Sequence, residues 1–209
     1  DLVLEEWREL WKGKGGKLGL QQQRGLLGEL LVLHRLLDHE PGAIMAWCGP
    51  LRELHDFSSS KGHLEVKTTL SQPPSVRISQ IGQVAPLAGE VFLELIVVLL
   101  GQNGEHTLPK AVDACRELLL NRQQKEQFER VLRKSGYRDE HNRFYSTTYT
   151  ILDVLRHTVT AESPVLKPSV LRSLPGTVRD ITYTLDVFAM DTSPVADSDW
   201  RSFARALQG

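Results

Sequence analysis

The fold is decided by residues 56–69, whose sequence is DFSSSKGHLEVKTT. Segments 54–57 and 63–69 have the composition of β-strands. The small polar residues between them end at Gly62, and this is the chemistry of a tight turn. We therefore predict a β-hairpin, and its turn fixes which charged side chains face each other.

The charged residues of this hairpin lie on one face. Side chains alternate along a strand, so Glu65 and Lys67 point the same way. A two-residue turn at 60–61 places Asp56 directly opposite Glu65, whereas a turn at 61–62 places Asp56 nearer Lys67. Both registers bring the two acids and the lysine together.

Two facing carboxylates favour a metal site. They repel by about 0.2–1 kcal/mol across a hairpin surface, and more strongly near a core. A divalent cation relieves this repulsion, and hard oxygen ligands suit Mg²⁺. With Lys67 beside them, the acids have the composition needed for metal-assisted phosphodiester hydrolysis. The alternative is a solvated hairpin face, against which the apolar residues Phe57, Leu64 and Val66 argue.

A third acid, Glu29, lies in the apolar helical segment 25–33. Its neighbours at helical spacing are Leu26, Val32, Leu33 and Leu36. A carboxylate in an apolar stripe is costly unless it is paired or bound to an ion. The alternatives are an edge position from which the carboxylate reaches water, and an ion pair with Arg24 or Arg35.

The other patterns alternate between helices and strands, which predicts a mixed α/β domain. Helices are predicted at 2–11, at 25–37 and twice between 109 and 135. Strands are predicted at 43–49, 75–79, 91–100, 144–155 and 178–190, with 91–100 as a central strand.

Composition excludes several classes of protein. A net charge of −1 does not suit a chain that coats nucleic acid, so any DNA contact must use a local basic patch. Cys48 and Cys115 form no C-x-x-C pair, which excludes a structural zinc site and fits a reducing cytoplasm. The longest apolar run, 91–100, is too short to cross a bilayer, and we expect no signal peptide and no membrane association.

The chain resembles the PD-(D/E)XK nuclease superfamily. A helical Glu29, Asp56 at the start of a strand and Glu-x-Lys at 65–67 carry this resemblance. More closely, the chain is similar to a bacterial group of PD-(D/E)XK motif proteins of unknown function, from the predicted helix at 2–11 to Phe188. The motifs that carry the closer likeness are GLLGELLVL, AWCGP, HDF, LEVKTT, RISQIGQV and LPGTVRDITYTLDV.

This resemblance implies a restriction-endonuclease-like fold over residues 1–209 as one domain. Its core is αβββαβ with a mixed central sheet, followed by additional C-terminal helices and strands. The implied activity is Mg²⁺-dependent DNA cleavage, with Mn²⁺ as a second possible ion, in a restriction or phage-defence system beside methyltransferases and ATPases. A homodimer is left open. The alternatives are a non-catalytic scaffold or DNA-binding subunit, and a plain structural domain, against which the position of Glu29 argues.

The resemblance also assigns metal ligands, a catalytic lysine and an assisting helix acid. By position, Asp56, Glu65 and the Val66 carbonyl would be the metal ligands. Lys67 would be the catalytic lysine, and Glu29 the assisting acid on the helix. Two departures accompany the match. His55 replaces the superfamily's proline before the first acid, and the chain has SPVL at 163–166 where the group has a Pro-Arg pair.

Substrate contacts are predicted in two loops. Gln80 and Gln83 follow the hairpin, where related nucleases place a polar residue near the metal. The loop KGKGGKLG contains Lys12, Lys14 and Lys17, which can contact DNA phosphates without reading sequence. The alternative for both groups is an ordinary solvated loop.

Overall fold

The computed structural model describes residues 16–87, 91–178 and 181–208. The predicted helix at 2–11, with Lys12 and Lys14, lies outside the described residues. The helices are α1 (Leu20–His39), α2 (Leu108–Glu117), α3 (Arg122–Lys134) and α4 (Asp197–Ala206). The strands are β1 (Phe57–Ser58), β2 (Gly62–Thr69), β3 (Ser75–Ile78), β4 (Phe92–His106), β5 (Tyr149–Thr158), β6 (Tyr183–Asp186) and β7 (Ser193–Pro194). Short 3₁₀ helices cover Pro41–Ala46, Gly49–Leu51, Ile81–Val84, Asp139–Phe144 and Pro168–Ser173.

The main sheet has five strands in the order β1-β2-β4-β5-β7. Strands β2 and β4 are parallel, and the other neighbours are antiparallel. A second sheet pairs β3 with β6 in antiparallel fashion. This mixed α/β arrangement is restriction-endonuclease-like, so the predicted fold class is confirmed.

Strand β4 lies at the centre of the main sheet, as its apolar run predicted. Both of its faces are covered, which explains why it does not alternate with polar residues. Ile96 and Val98 belong to the core beneath the helices. Leu95 and Val97 belong to the core shared with β3 and β6.

The helices begin and end at recognisable signals. The Thr107 side chain accepts a hydrogen bond from the Lys110 N–H at the start of α2, and Asn121 accepts one from the Gln124 N–H at the start of α3. Past the end of α3, Gly136 adopts a φ of 91°, which suits glycine. The two helices predicted between 109 and 135 are confirmed.

Four strand predictions are wrong in extent. Of segment 54–57 only Phe57 lies in β1, and segment 144–155 becomes a strand only from Tyr149 onward. Segment 43–49 is mostly the 3₁₀ helix Pro41–Ala46, and its last part forms only an isolated bridge between Trp47 and Phe57. Ala43, Ile44, Ala46 and Trp47 are buried, whereas Met45 is 48% exposed. A short apolar run does not distinguish a strand from a helical turn. Of segment 178–190, only Tyr183–Asp186 is a strand. No helix among the described residues is long and apolar enough to cross a membrane.

We predict that Ile96→Ala destabilises the protein by about 2–5 kcal/mol, because it opens a cavity at a fully buried position of β4. Leu120→Ala, at a side chain that is 75% exposed, should change the free energy of unfolding by less than about 0.5 kcal/mol. Denaturant unfolding measures both variants. Equal effects of the two substitutions would contradict the central position of β4.

Candidate active site

The hairpin has the register in which its two acids face each other. Phe57 of β1 pairs with Leu64 of β2. Continuing that register by one residue sets Asp56 opposite Glu65, as a turn at 60–61 predicts. The Val66 N–H donates to Asp56 Oδ2 at 2.7 Å and so holds the carboxylate against β2.

Glu65 and Lys67 form a partly buried ion pair on the face that is covered by the second sheet. They pair in register with Leu95 and Val97, which lie in that core. Glu65 is only 1% exposed, and its Oε1 accepts a hydrogen bond from the Lys67 amine. Glu65 Oε2 is buried and has no hydrogen-bond partner among the residues described. One carboxylate oxygen therefore remains available to a cation.

Gln83 holds the lysine from the other side. Its Oε1 lies 3.4 Å from the Lys67 amine. The same oxygen accepts hydrogen bonds from the Ser79 N–H and hydroxyl and from the Gln80 N–H, at 3.0–3.3 Å. The structure therefore brings Gln83 to the acids and the lysine, whereas the exposed Gln80 contributes its backbone.

Helix α1 brings Glu29 to the same place. The Trp47 indole N–H donates to Glu29 Oε2 at 2.8 Å. Trp47 is fully buried, and its ring centroid lies 5.6 Å from that of Phe128. Neither arginine proposed as a partner makes this contact, and Arg35 lies 3.5 Å from Asp197. The hydrogen bond from the Trp47 indole thus offsets part of the free-energy cost of burying the Glu29 carboxylate among apolar side chains.

Gly49 leaves the space into which two of the acids converge. A Cβ at this position would lie 2.5 Å from Asp56 Oδ1 and 2.8 Å from Glu29 Oε2. The N–H groups of Cys48 and Gly49 both donate to the Asp56 carbonyl, at 2.9 and 3.0 Å. Segment 47–49 therefore organises both acids, a role that the sequence analysis did not assign. A Gly-Pro pair shortly before the hairpin and a tryptophan with an N–H to satisfy were the available signals.

The three buried acids of the site have too little positive charge near them to balance their own negative charge. Burial raises the pKa of Glu29 well above its ordinary value, and the charge of Asp56 raises it further. Burial also raises the pKa of Asp56, despite the opposing effects of Lys67 and the Val66 N–H. For Glu65, burial and then the charge of Asp56 raise the pKa to about 8, although Lys67 opposes this. Three carboxylates around one amine form a site that an added cation would stabilise.

The donor set fits a hard cation with several water ligands. Within 16–87, 91–178 and 181–208, no group of three or more His, Cys, Asp or Glu side chains is arranged to hold a metal ion. Mg²⁺, however, is commonly bound by one or two carboxylates together with water. Asp56, Glu65 and the Val66 carbonyl match that smaller set, and the unpartnered Glu65 Oε2 supplies a free oxygen.

His55, which replaces the superfamily's proline, is a neutral core residue. It is 5% exposed, and its ring centroid lies 4.8 Å from that of His63. Burial, followed by His63, lowers the pKa of His55 to about 4. At neutral pH this side chain therefore adds no charge beside Asp56.

Lys17 is the one described member of the predicted lysine loop group. Its amine lies over the ring of Phe144, 3.4 Å from the centroid, and the Arg143 guanidinium lies 4.8 Å from the same centroid. Lys17 thus belongs to a small basic cluster rather than to the group around Glu65.

The raised pKa of Glu65 predicts a pH-dependent stability in the metal-free protein. Because the folded pKa of about 8 exceeds the ordinary value of 4.5, the contribution of Glu65 to stability is lost as pH rises through about 8. Between pH 6.5 and 8.5, the melting temperature in chelator should fall for wild type and fall less for Glu65→Gln. The window begins at 6.5 because His55, with its lowered pKa, acts in the opposite direction below it. Parallel curves for the two proteins would contradict the burial of an ionisable Glu65.

Comparison with known proteins gives one family. Residues 2–188 match the family model described as "Putative PD-(D/E)XK family member, (DUF4420)". No curated protein and no solved structure matches the chain. The family match spans Glu29, Asp56, Glu65 and Lys67, the residues that the structure brings together. The chain therefore belongs to this PD-(D/E)XK family.

Proposed function

We propose that the chain hydrolyses phosphodiester bonds of DNA with Mg²⁺, or with Mn²⁺ in its place. The observation that carries the proposal is the register of the hairpin, which sets Asp56 opposite Glu65 while Lys67 pairs with Glu65. The convergence of Glu29 on Asp56 beside Gly49 supports it. Membership of the PD-(D/E)XK family supports the nuclease-like class of reaction.

Asp56, Glu65 and the Val66 carbonyl would hold the ion. Asp56 Oδ2 already accepts the Val66 N–H, and Glu65 Oε1 the Lys67 amine, which leaves the second oxygen of each carboxylate for the metal. A bound divalent ion supplies a water of lowered pKa and neutralises charge at the phosphate.

Lys67 is the group that acts on the nucleophile or the phosphate. Its amine is held between Glu65 and Gln83, and its side chain is 17% exposed, so it can donate to a water or to a phosphate oxygen at the surface of the site. Glu29, fixed by Trp47, lies at the edge of the site and can hold a water. Gln83 sets the position of the lysine.

DNA contacts outside these acids come from local basic residues, because the net charge is −1. We assign phosphate contacts to the cluster of Lys17 and Arg143, together with Lys12 and Lys14, and a substrate contact to Gln80. The proposal includes a single domain over 1–209, a cytoplasmic location, and a place in a restriction or phage-defence system with a methyltransferase and an ATPase. A homodimer is compatible with it.

Substitution of Lys67 tests the chemistry. Lys67→Ala should lower the rate of Mg²⁺-dependent DNA cleavage by about 10²–10³ and keep the Mg²⁺-induced rise in melting temperature, since the amine does not ligate the ion. Asp56→Ala should lose both. Lys61→Ala, at an exposed lysine of the same hairpin, is the matched control and should keep kcat.

A non-catalytic scaffold would behave differently. It would show no cleavage with Mg²⁺ or Mn²⁺, and cells carrying the complete gene set would resist phage equally well with wild type and with a folded Lys67→Ala variant. That result would contradict the catalytic role of Lys67.

Gly49→Ala tests the convergence of the acids. The added methyl group would displace the carboxylates of Asp56 and Glu29 from the donors that hold them, and its next contact is Asp56 Cα at 3.2 Å. We expect a lower metal-free melting temperature and at least about tenfold weaker Mg²⁺ binding by titration calorimetry, because one ligand is misplaced. Wild-type Mg²⁺ affinity in this variant would contradict the assignment of Asp56 as a ligand.

A further inference from the structure

We propose that the Ser59 hydroxyl and helix α4 position the candidate active site by fixing the turn of the β1–β2 hairpin. Helix α4 begins at Asp197, beyond the residues 2–188 that match the family model, so it is a feature of this chain rather than of the matched region. The consequence for cleavage rests on the proposed function, whereas the effect on the hairpin does not.

The turn matters because the hairpin is short. Strand β1 has only two residues, and Asp56 lies immediately before it. A one-residue slip in register would turn Asp56 to the opposite face from Glu65. With so short a ladder, the alignment of the two acids depends on the turn as well as on segment 47–49, which holds the Asp56 carbonyl.

The Ser59 hydroxyl makes hydrogen bonds within the turn and with the end of α4. Its Oγ accepts hydrogen bonds from the N–H groups of Lys61 and Gly62, at 3.1 and 3.2 Å. Its single O–H lies within donating distance of two carbonyls, that of Ala206 at 3.0 Å and that of Gly62 at 3.3 Å, of which Ala206 is the nearer. Ala206 is the last residue of α4, where carbonyls lack partners within the helix.

A second contact joins the turn to α4 through aromatic rings. Gly62 leaves room for Phe92, because a Cβ at Gly62 would lie 2.3 Å from the Phe92 ring. The centroid of that ring lies 6.0 Å from the ring of Phe203 in α4. The turn is therefore linked to the same helix directly by a hydrogen bond and, through Phe92 of β4, by aromatic packing.

Helix α4 is itself firmly attached, so it can serve as a support. Trp200 and Phe203 are buried in the core beneath the helices, together with residues of α1. Asp199 accepts a hydrogen bond from Arg156 of β5 at 2.7 Å. Helix α4 is thus fixed to the helical core along its length and to the sheet at its first turn.

Amide hydrogen exchange at Val66 reports the predicted effect directly, because this N–H donates to Asp56 Oδ2. Ser59→Ala should speed exchange of the Val66 amide by about tenfold, as expected for the loss of hydrogen bonds that favour the closed hairpin. Ser60→Ala, at the exposed neighbouring serine, is the matched control and should leave the rate unchanged. Ser59→Thr retains the hydroxyl and should restore protection.

Cleavage provides the second readout. In Ser59→Ala, kcat should fall about tenfold while KM stays within about twofold, because alignment of the acids is lost and DNA contacts are kept. Unchanged Val66 protection in a folded Ser59→Ala protein would overturn the proposal, as would faster exchange with wild-type kcat. If the wild-type protein does not cleave DNA, the proposed function fails. The role of Ser59 is then tested only by the exchange rate of the Val66 amide in Ser59→Ala compared with wild type.

Discussion

The cost of placing three carboxylates around a single amine governs the structure of this site. Glu29, Asp56 and Glu65 each have a pKa raised chiefly by burial, and Lys67 is the nearby cation that opposes this rise. Such a cluster persists when the surrounding fold holds every member in place. The fold therefore has the properties of a site prepared for a cation, since positive charge is what the cluster lacks.

Glu29, Asp56 and Lys67 come from different parts of the chain, and each is held by a neighbouring group. Trp47 holds Glu29 from α1, the Val66 N–H holds Asp56 at the start of β1, and Gln83 holds Lys67 on β2. The small size of Gly49 lets two of these groups meet, and the turn of the hairpin sets their register. Helix α4 extends this support to the turn through Ser59 and Phe203.

The sequence predicted the local features of the site and missed those that depend on tertiary contacts. The shared face of Asp56, Glu65 and Lys67 followed from the two-residue period of a strand, while the choice between the two possible turn registers did not. The central position of β4 followed from its unbroken apolar run. The roles of Trp47 and Gly49 could not be predicted, because they arise where segments distant in sequence converge. The strand predicted at 43–49 was wrong because a short apolar run has no period that distinguishes a strand from the observed 3₁₀ helix.

The most direct test of the central claim is crystallographic. In crystals soaked with Mn²⁺, anomalous scattering should place an ion at about 2.0–2.2 Å from carboxylate oxygens of both Asp56 and Glu65, the distance expected for a hard divalent cation with oxygen ligands. The same soak of Asp56→Asn crystals should show a weaker peak or none. An ion bound elsewhere in wild type, or no ion while Asp56 and Glu65 remain in the positions described, would contradict the account.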